Sequence, residues 1–247
     1  MDDFKPFDSK SRTWTLKDGV VNSSPLSGDP RPGNAKFKKL TPVDENSANP
    51  YTLTDDDRTV IGNTTPKFSG GFGLNATFKG FDVSAFFNFM YDFDVFNANK
   101  VMMTTWASNN YNNFSMDISA AKRWRNFDDM GNEIRYSPEI LAEFNKNATM
   151  WNPTSIGRPI AMSYAVEDGS FLRLNTATIG YTLPRAWTNK VGLSRVRFYA
   201  SGYNLFTITG YSGYDPEVDI ATGLTPNIDN NRYPRSRTYT FGVQLTF

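Results

Sequence analysis

Side chains along several short stretches of this chain alternate with a period of two, and that alternation restricts what the stretches can become. Between Phe68 and Phe78, residues Phe68, Phe72, Leu74, Ala76 and Phe78 fall on one side, with Ser69, Asn75 and Thr77 on the other. A period of two is that of a β-strand, whose successive side chains point to opposite faces. After Lys79-Gly80 the pattern resumes, placing Phe81, Val83, Ala85, Phe87, Phe89 and Tyr91 on one face. Two residues including a glycine between such runs predict a tight hairpin. Near the end, Tyr239, Phe241, Val243, Leu245 and Phe247 alternate with Thr238, Thr240, Gly242, Gln244 and Thr246. Segments 171–183 and 195–206 alternate less regularly, so the expected strands are 68–78, 81–91, 171–183, 195–206 and 237–247.

The connections run short (79–80), long (92–170), fairly short (184–194) and long (207–236). Compact domains seldom hold structureless connections beyond ~15 residues, whereas bacterial membrane barrels pair short periplasmic turns with long extracellular loops. About eleven residues at ~3.3 Å each, tilted by roughly 45°, cover the ~25 Å apolar band of an outer membrane. The expected class is all-β: transmembrane antiparallel β-barrel strands with long extracellular loops. A mean hydropathy of −0.49 is compatible with it, because half of each strand faces a polar lumen. Residues 1–67, rich in Pro, Gly, Asp and Asn, read as mostly extracellular loop with a possible strand at 12–21. Inside the longest connection, 137–146 reads as a short helix, with Ser137 as N-cap, Pro138 in its first turn, and Ile140, Leu141 and Phe144 on one side.

Composition narrows the chemistry. The 247 residues hold no cysteine and no histidine, which excludes disulfides, thiolate zinc sites, thiol nucleophiles and Ser-His-Asp hydrolysis. With 26 basic against 25 acidic side chains the chain lacks the cationic excess that phosphate binding needs, so nucleic acid is not an expected partner. The start, Met1-Asp2-Asp3-Phe4-Lys5-Pro6, does not read as a secretory signal peptide.

Several short motifs, in order, resemble one family. Asp57-Arg58-Thr59-Val60-Ile61-Gly62-Asn63-Thr64-Thr65-Pro66-Lys67-Phe68, Asp168-Gly169-Ser170-Phe171-Leu172-Arg173-Leu174, Gly180-Tyr181-Thr182-Leu183-Pro184, Tyr203-Asn204-Leu205-Phe206-Thr207, Gly213-Tyr214-Asp215-Pro216-Glu217 and Tyr233-Pro234-Arg235-Ser236-Arg237-Thr238 are similar to the late-barrel motifs of SusC/RagA-type TonB-dependent outer-membrane transporters. The resemblance covers about residue 50 to the C-terminus. It implies the last part of a 22-stranded barrel with an N-terminal plug, importing glycan fragments or peptides with energy relayed by TonB, beneath a SusD-like surface lipoprotein. The expected location is the outer membrane. The expected partners are that lipoprotein, the plug and remaining barrel strands, TonB through a segment this chain lacks, and lipid. No enzyme activity, cofactor or metal is expected. Five or six strands cannot close a barrel, since single chains start at eight, so the chain reads as part of a transporter and not as a complete one. The competing class is a secreted or surface β-sandwich that binds carbohydrate or acts as an adhesin.

Trp106, Tyr111, Trp124 and Trp151 in the long connection are candidate substrate or partner contacts, because aromatic faces suit the apolar CH surfaces of sugars. Tyr239, Phe241, Val243, Leu245 and Phe247 resemble the signal read by the barrel assembly machinery, which could add to an exposed edge strand. Tyr214 to Asp219 gathers three carboxylates, and Asp55-Asp56-Asp57-Arg58 is similarly acidic; both read as turns that bond their own backbone. Lys36, Lys38 and Lys39 around Phe37 read as a solvated loop, and Arg232, Arg235 and Arg237 as facing lumen or rim.

Overall fold

The computed structural model describes residues 1–106, 113–157, 160–218 and 226–247. The chain forms two compact units, one of residues 1–60 with 98–162 and one of 61–97 with 163–247. Among the described residues no helix is long and apolar enough to cross a membrane. Tyr111 and Asp219 lie outside the described residues.

The second unit is built on a five-stranded sheet of β1 (Phe68–Phe78), β2 (Phe81–Tyr91), β5 (Phe171–Thr182), β6 (Arg195–Thr209) and β8 (Thr238–Thr246), in the order β1-β2-β5-β6-β8. Every pairing is antiparallel. Lys79 (φ 45°) and Gly80 (φ 91°) turn β1 into β2. Positive φ at both central residues belongs to the hairpin turn that matches the natural twist of the strands. β6 runs three residues beyond the expected 206, as far as Thr209 opposite Phe171. A smaller sheet of β3 (Asp94–Asn97), β4 (Val166–Asp168) and β7 (Ile228–Asp229) is ordered β4-β3-β7. It closes over a core of Phe93, Val95, Phe171, Tyr211 and Val218. The long connections are therefore not structureless.

Register sorts the five strands into two faces. Phe78, Phe81, Tyr181, Phe198 and Val243 lie side by side across the sheet, as do Leu74, Ala85, Ala177, Gly202 and Tyr239. The imperfect alternation in β5 has a specific cause. The register shifts at Asn175, between Leu174 and Thr176, and one extra residue in a strand restores the apolar set to a single face. Leu172 and Leu174 thereby join Ala177, Ile179 and Tyr181. This face is apolar throughout yet solvent-accessible, with Leu74 60% and Phe241 80% exposed.

The opposite face carries Ser, Thr, Asn and charge. Thr178 and Ser201 share a hydroxyl bond of 2.8 Å, and the Arg197 guanidinium donates to both carboxylate oxygens of Asp82, through Nε at 2.9 Å and through Nη2. That ion pair bridges β2 and β6 over the intervening β5, where Gly180 makes room: a Cβ there would overlap the guanidinium and the carboxylate. We expect Gly180→Val to cost about 1–3 kcal/mol by overpacking, measured as a lower unfolding midpoint, while Gly210→Ala, where a Cβ meets open space, leaves the midpoint unchanged.

The first unit shows that residues 1–60 are more than loop, because they fold together with 98–162. The possible strand at 12–21 does not form; isolated bridges join Phe4 to Leu16 and Asp8 to Thr13. This stretch has no adjacent strand to continue a ladder, and Trp14 instead packs on Phe4 and Phe7 and donates to the Arg135 carbonyl at 3.2 Å. The helix in the long connection spans Pro138–Phe144, and Leu141, not Ile140 or Phe144, is its buried residue. The Ser137 side chain makes no capping bond.

Asp57 ties two parts of this unit together. Its carboxylate accepts from the Leu40 and Thr41 amides, the Thr41 hydroxyl and the Thr54 amide at 2.7–2.9 Å. It also pairs with Lys39 at 3.2 Å, the two side chains being 4% and 9% exposed. Lys39 is thus a buried partner of this carboxylate, in place of the expected solvated lysine. The Thr41 hydroxyl, followed by the amide bonds, holds the Asp57 carboxyl far below the usual carboxylate range. A depressed pKa stabilises the fold above the unfolded value of about 4, and that stabilisation is lost as pH falls through the folded value. Asp57→Asn should therefore flatten the loss of hydrogen-exchange protection around residues 40–41 and 54 between about pH 5 and pH 3.

Candidate functional site

Within the first unit, residues 24–34 and 123–135 line a cleft of about 920 Å³. The sequence candidates divide there. Trp106 and Trp124 both line the cleft. Trp106 leans on Phe114, ring centres 5.8 Å apart, and remains 49% exposed. Trp124 is half-buried, its ring pressed onto Gly33, whose left-handed backbone (φ 83°) has no room for a Cβ. Trp151 does not line the cleft; its indole donates to the Thr104 carbonyl at 3.3 Å, a structural bond that locks the end of the helix Ala98–Thr104.

Four arginines also line the cleft, Arg31, Arg123, Arg125 and Arg135, which sequence reading missed. They lie up to 104 residues apart in sequence, and no local pattern links them. Arg125 pairs with Asp129 at 2.6 Å and its guanidinium lies over Phe144. Arg135 pairs with Glu133 and lies over Phe127 and Tyr136. Cation–π contacts of this kind hold a guanidinium in place while leaving its edge free for further bonds.

In the second unit the acidic stretch at 215–217 bonds its own backbone as expected, Asp215 accepting from the Glu217 amide at 2.9 Å, but its carboxylates are largely buried instead of solvated. Arg173, on the polar face of β5 and 2% exposed, donates to Asp215 at 2.5 Å and lies 3.7 Å from Glu217. Arg235, 46% exposed, closes the cluster with a 2.6 Å bond to Glu217. Burial pushes the Asp215 carboxyl up, but the Arg173 bond and the Glu217 amide outweigh it and hold it below the ordinary range. Beside this cluster the buried Tyr211 hydroxyl donates to Asp229 at 2.7 Å. Burial first, then that carboxylate, pushes the phenol far above its usual value. Among the described residues no group of three or more metal-ligating side chains comes together.

Tyr239, Phe241, Val243 and Leu245 lie on the apolar face of β8, whose outer edge is unpaired within the sheet. Phe247 follows the strand and is 90% exposed.

No protein-family model matches the chain. It is 32% identical over 228 residues to TonB-dependent receptor P3 of Formosa agariphila, a match covering 90% of the chain and 20% of that protein. It is 32% identical over 164 residues to TonB-dependent receptor SusC of Bacteroides thetaiotaomicron, covering 61% of the chain and 15% of that protein. A solved structure of the RagAB peptide transporter superposes with a TM-score of 0.61 at 26% identity, covering 80% of the chain and 19% of its counterpart. The RagAB peptide importer in its closed-closed state covers 99% of the chain and 22% of its counterpart, with a TM-score of 0.57 at 24% identity, a likeness of fold alone. The chain spans 15–22% of the length of these relatives. An antiparallel sheet with one apolar and one polar face, together with these matches along most of its length, makes the chain a stretch of SusC/RagA-type TonB-dependent receptor sequence.

Proposed function

We propose that this chain supplies the last strands of a 22-stranded outer-membrane barrel, and the extracellular loops between them, in a TonB-dependent importer of glycan fragments or peptides. The observation that carries this reading is the sheet itself. Its accessible face is apolar on all five strands, its other face is polar and bridged by Asp82–Arg197, and the outer edges of β1 and β8 are open. Open edges are costly in lipid, where every backbone group must be paired. Further strands from the rest of the receptor would complete the barrel, with the apolar face toward lipid and the polar face toward a plugged lumen.

With the C-terminus in the periplasm, the turns at 79–80 and 184–194 are periplasmic, and 92–170 and 207–236 are extracellular. The extracellular parts contribute to the substrate cavity and dock a SusD-like lipoprotein, with Trp106 and Trp124 as contacts to substrate. The alternating residues 239–247 serve as the assembly signal. Relatives named TonB-dependent receptor and peptide transporter support import over any chemical reaction. The full-length receptor carrying this sequence should fractionate with outer membranes, migrate differently on gels when unheated, and lose substrate uptake when TonB is deleted. A water-soluble, monodisperse receptor needing no detergent would defeat this reading.

A further inference from the structure

The cleft of the first unit has a chemistry more specific than "glycan or peptide". We infer that it binds an acidic oligosaccharide, one carrying carboxylate or sulfate groups, with Arg123 reading the charge and Trp106 and Phe127 stacking on the rings. This deepens the import reading above and rests on it. The volume of about 920 Å³ falls within the range of small-molecule sites.

The first observation is which groups are already satisfied. Asp128, on the cleft wall, spends its carboxylate on the Met130 and Asn132 amides and the Asn132 side chain at 2.7–2.9 Å. The Asn152 side-chain oxygen accepts from the Thr154 amide and hydroxyl, and the Asn34 amide group donates to two backbone carbonyls. Asp29 is 87% exposed, with Arg31 3.7 Å away. By contrast Arg123, half-buried in the wall, gives one bond, from Nη1 to the Ile118 carbonyl at 3.2 Å, and has no carboxylate partner among the described residues. A guanidinium carries five donors in a planar fork. A ligand entering here therefore meets strong donors and few unspent acceptors, which suits an anion better than a neutral sugar or an amine.

The second observation is shape. Trp106 and Phe127 are 49% and 47% exposed, Phe127 with Arg135 over one ring face, and aromatic rings suit sugar CH surfaces. Among the residues that line the cleft none belongs to a β-strand, so there is no sheet edge for an extended peptide to join. Both features favour a sugar over a peptide.

The test is titration calorimetry on the full-length receptor, purified from outer membranes in detergent at low salt. The probes are a galacturonic acid trimer, a sulfated galactose trimer, a neutral galactose trimer and the peptide Glu-Glu-Glu. The wild-type receptor should bind at least one acidic sugar about tenfold or more tighter than the neutral trimer, the size of effect that a hydrogen-bonded charge gives. Arg123→Ala should abolish that preference, Arg123→Lys should keep part of it, and Trp106→Ala should weaken acidic and neutral sugars alike. An equal affinity for neutral and acidic sugars, a preference for the peptide, or an acidic preference that survives Arg123→Ala would overturn the inference. Should Arg123→Ala fail to reach the membrane, the ligand preference of the wild type and the Arg123→Lys titration still decide. A receptor that inserts and imports through TonB without any acidic preference overturns this inference alone. One that binds acidic sugar but shows no TonB-dependent uptake overturns the import reading instead.

Discussion

Replacing Arg173 by methionine is expected to free the segment around 211–218 from the sheet at a cost of about 3–5 kcal/mol, the range seen when one partner of a buried ion pair is removed. The guanidinium is 2% exposed and faces carboxylates that are each 13% exposed, so its loss strands a charge that water reaches poorly. Arg235 stays on Glu217 and limits the damage there, whereas Asp215 keeps only backbone partners. Adding Asp215→Asn to Arg173→Met should recover at least half of the loss, because the double variant no longer buries an unpaired charge. Limited proteolysis of the intact receptor would read both effects, with new cleavage near residues 211–218 in the single variant and reduced cleavage in the double. The same clamp has a pH signature. Asp215 is held below its ordinary value, so its stabilisation is complete above the unfolded pKa of about 4 and is lost as pH falls through the folded one. Unaltered cleavage in Arg173→Met would mean that the apolar core of Phe93, Val95, Phe171, Tyr211 and Val218 holds this segment unaided.

Leu74→Arg is expected to reduce the folded, membrane-inserted fraction of the receptor sharply, whereas Asn75→Arg, one residue along the same strand, should be tolerated. Leu74 lies in the row Leu74, Ala85, Ala177, Gly202 and Tyr239 near the middle of the sheet and points to the apolar face. If that face meets lipid, arginine at mid-depth costs about 2–4 kcal/mol, while a lumen-facing charge costs little. The contrast between neighbours matters more than either value alone, because a strand reverses its facing at each residue. The unheated, folded band on a gel, measured against total receptor in the outer membrane, checks it. Equal loss in both variants would mean that both faces of β1 are packed by protein, as in a sandwich.

Much of the sheet was legible because its cause is local. Alternation at 68–78, 81–91 and 239–247 follows from the pleat, and the Lys79-Gly80 turn needs only the backbone freedom of two residues. Less of the 171–183 strand was legible, since the extra residue at Asn175 shifts the parity partway along. The possible strand at 12–21 was misread because local propensity was the only guide, whereas Ser137 sits at the N-cap as read, although its side chain makes no bond there. The outcome at 12–21 depended on partners elsewhere: Phe4, Phe7 and the Arg135 carbonyl.

The sites follow the same division. Trp106 and Trp124 could be nominated from residue type, but nothing in the order of residues says that Trp151 would be occupied by Thr104 or that four arginines would meet around one cleft. Nor does it say that Arg173 would clamp Asp215, 42 residues away. By itself, then, the sequence determined β1, β2 and β8, their apolar sides and the first hairpin, because a two-residue period and a tight turn are properties of adjacent residues. Only the tertiary structure decided the pairing of β2 with β5 across the long connection, the joining of residues 1–60 to 98–162, and which charges were spent on one another. Those outcomes depend on register and on the path of loops, and burial and ion pairing act between atoms close in space whatever their distance along the chain.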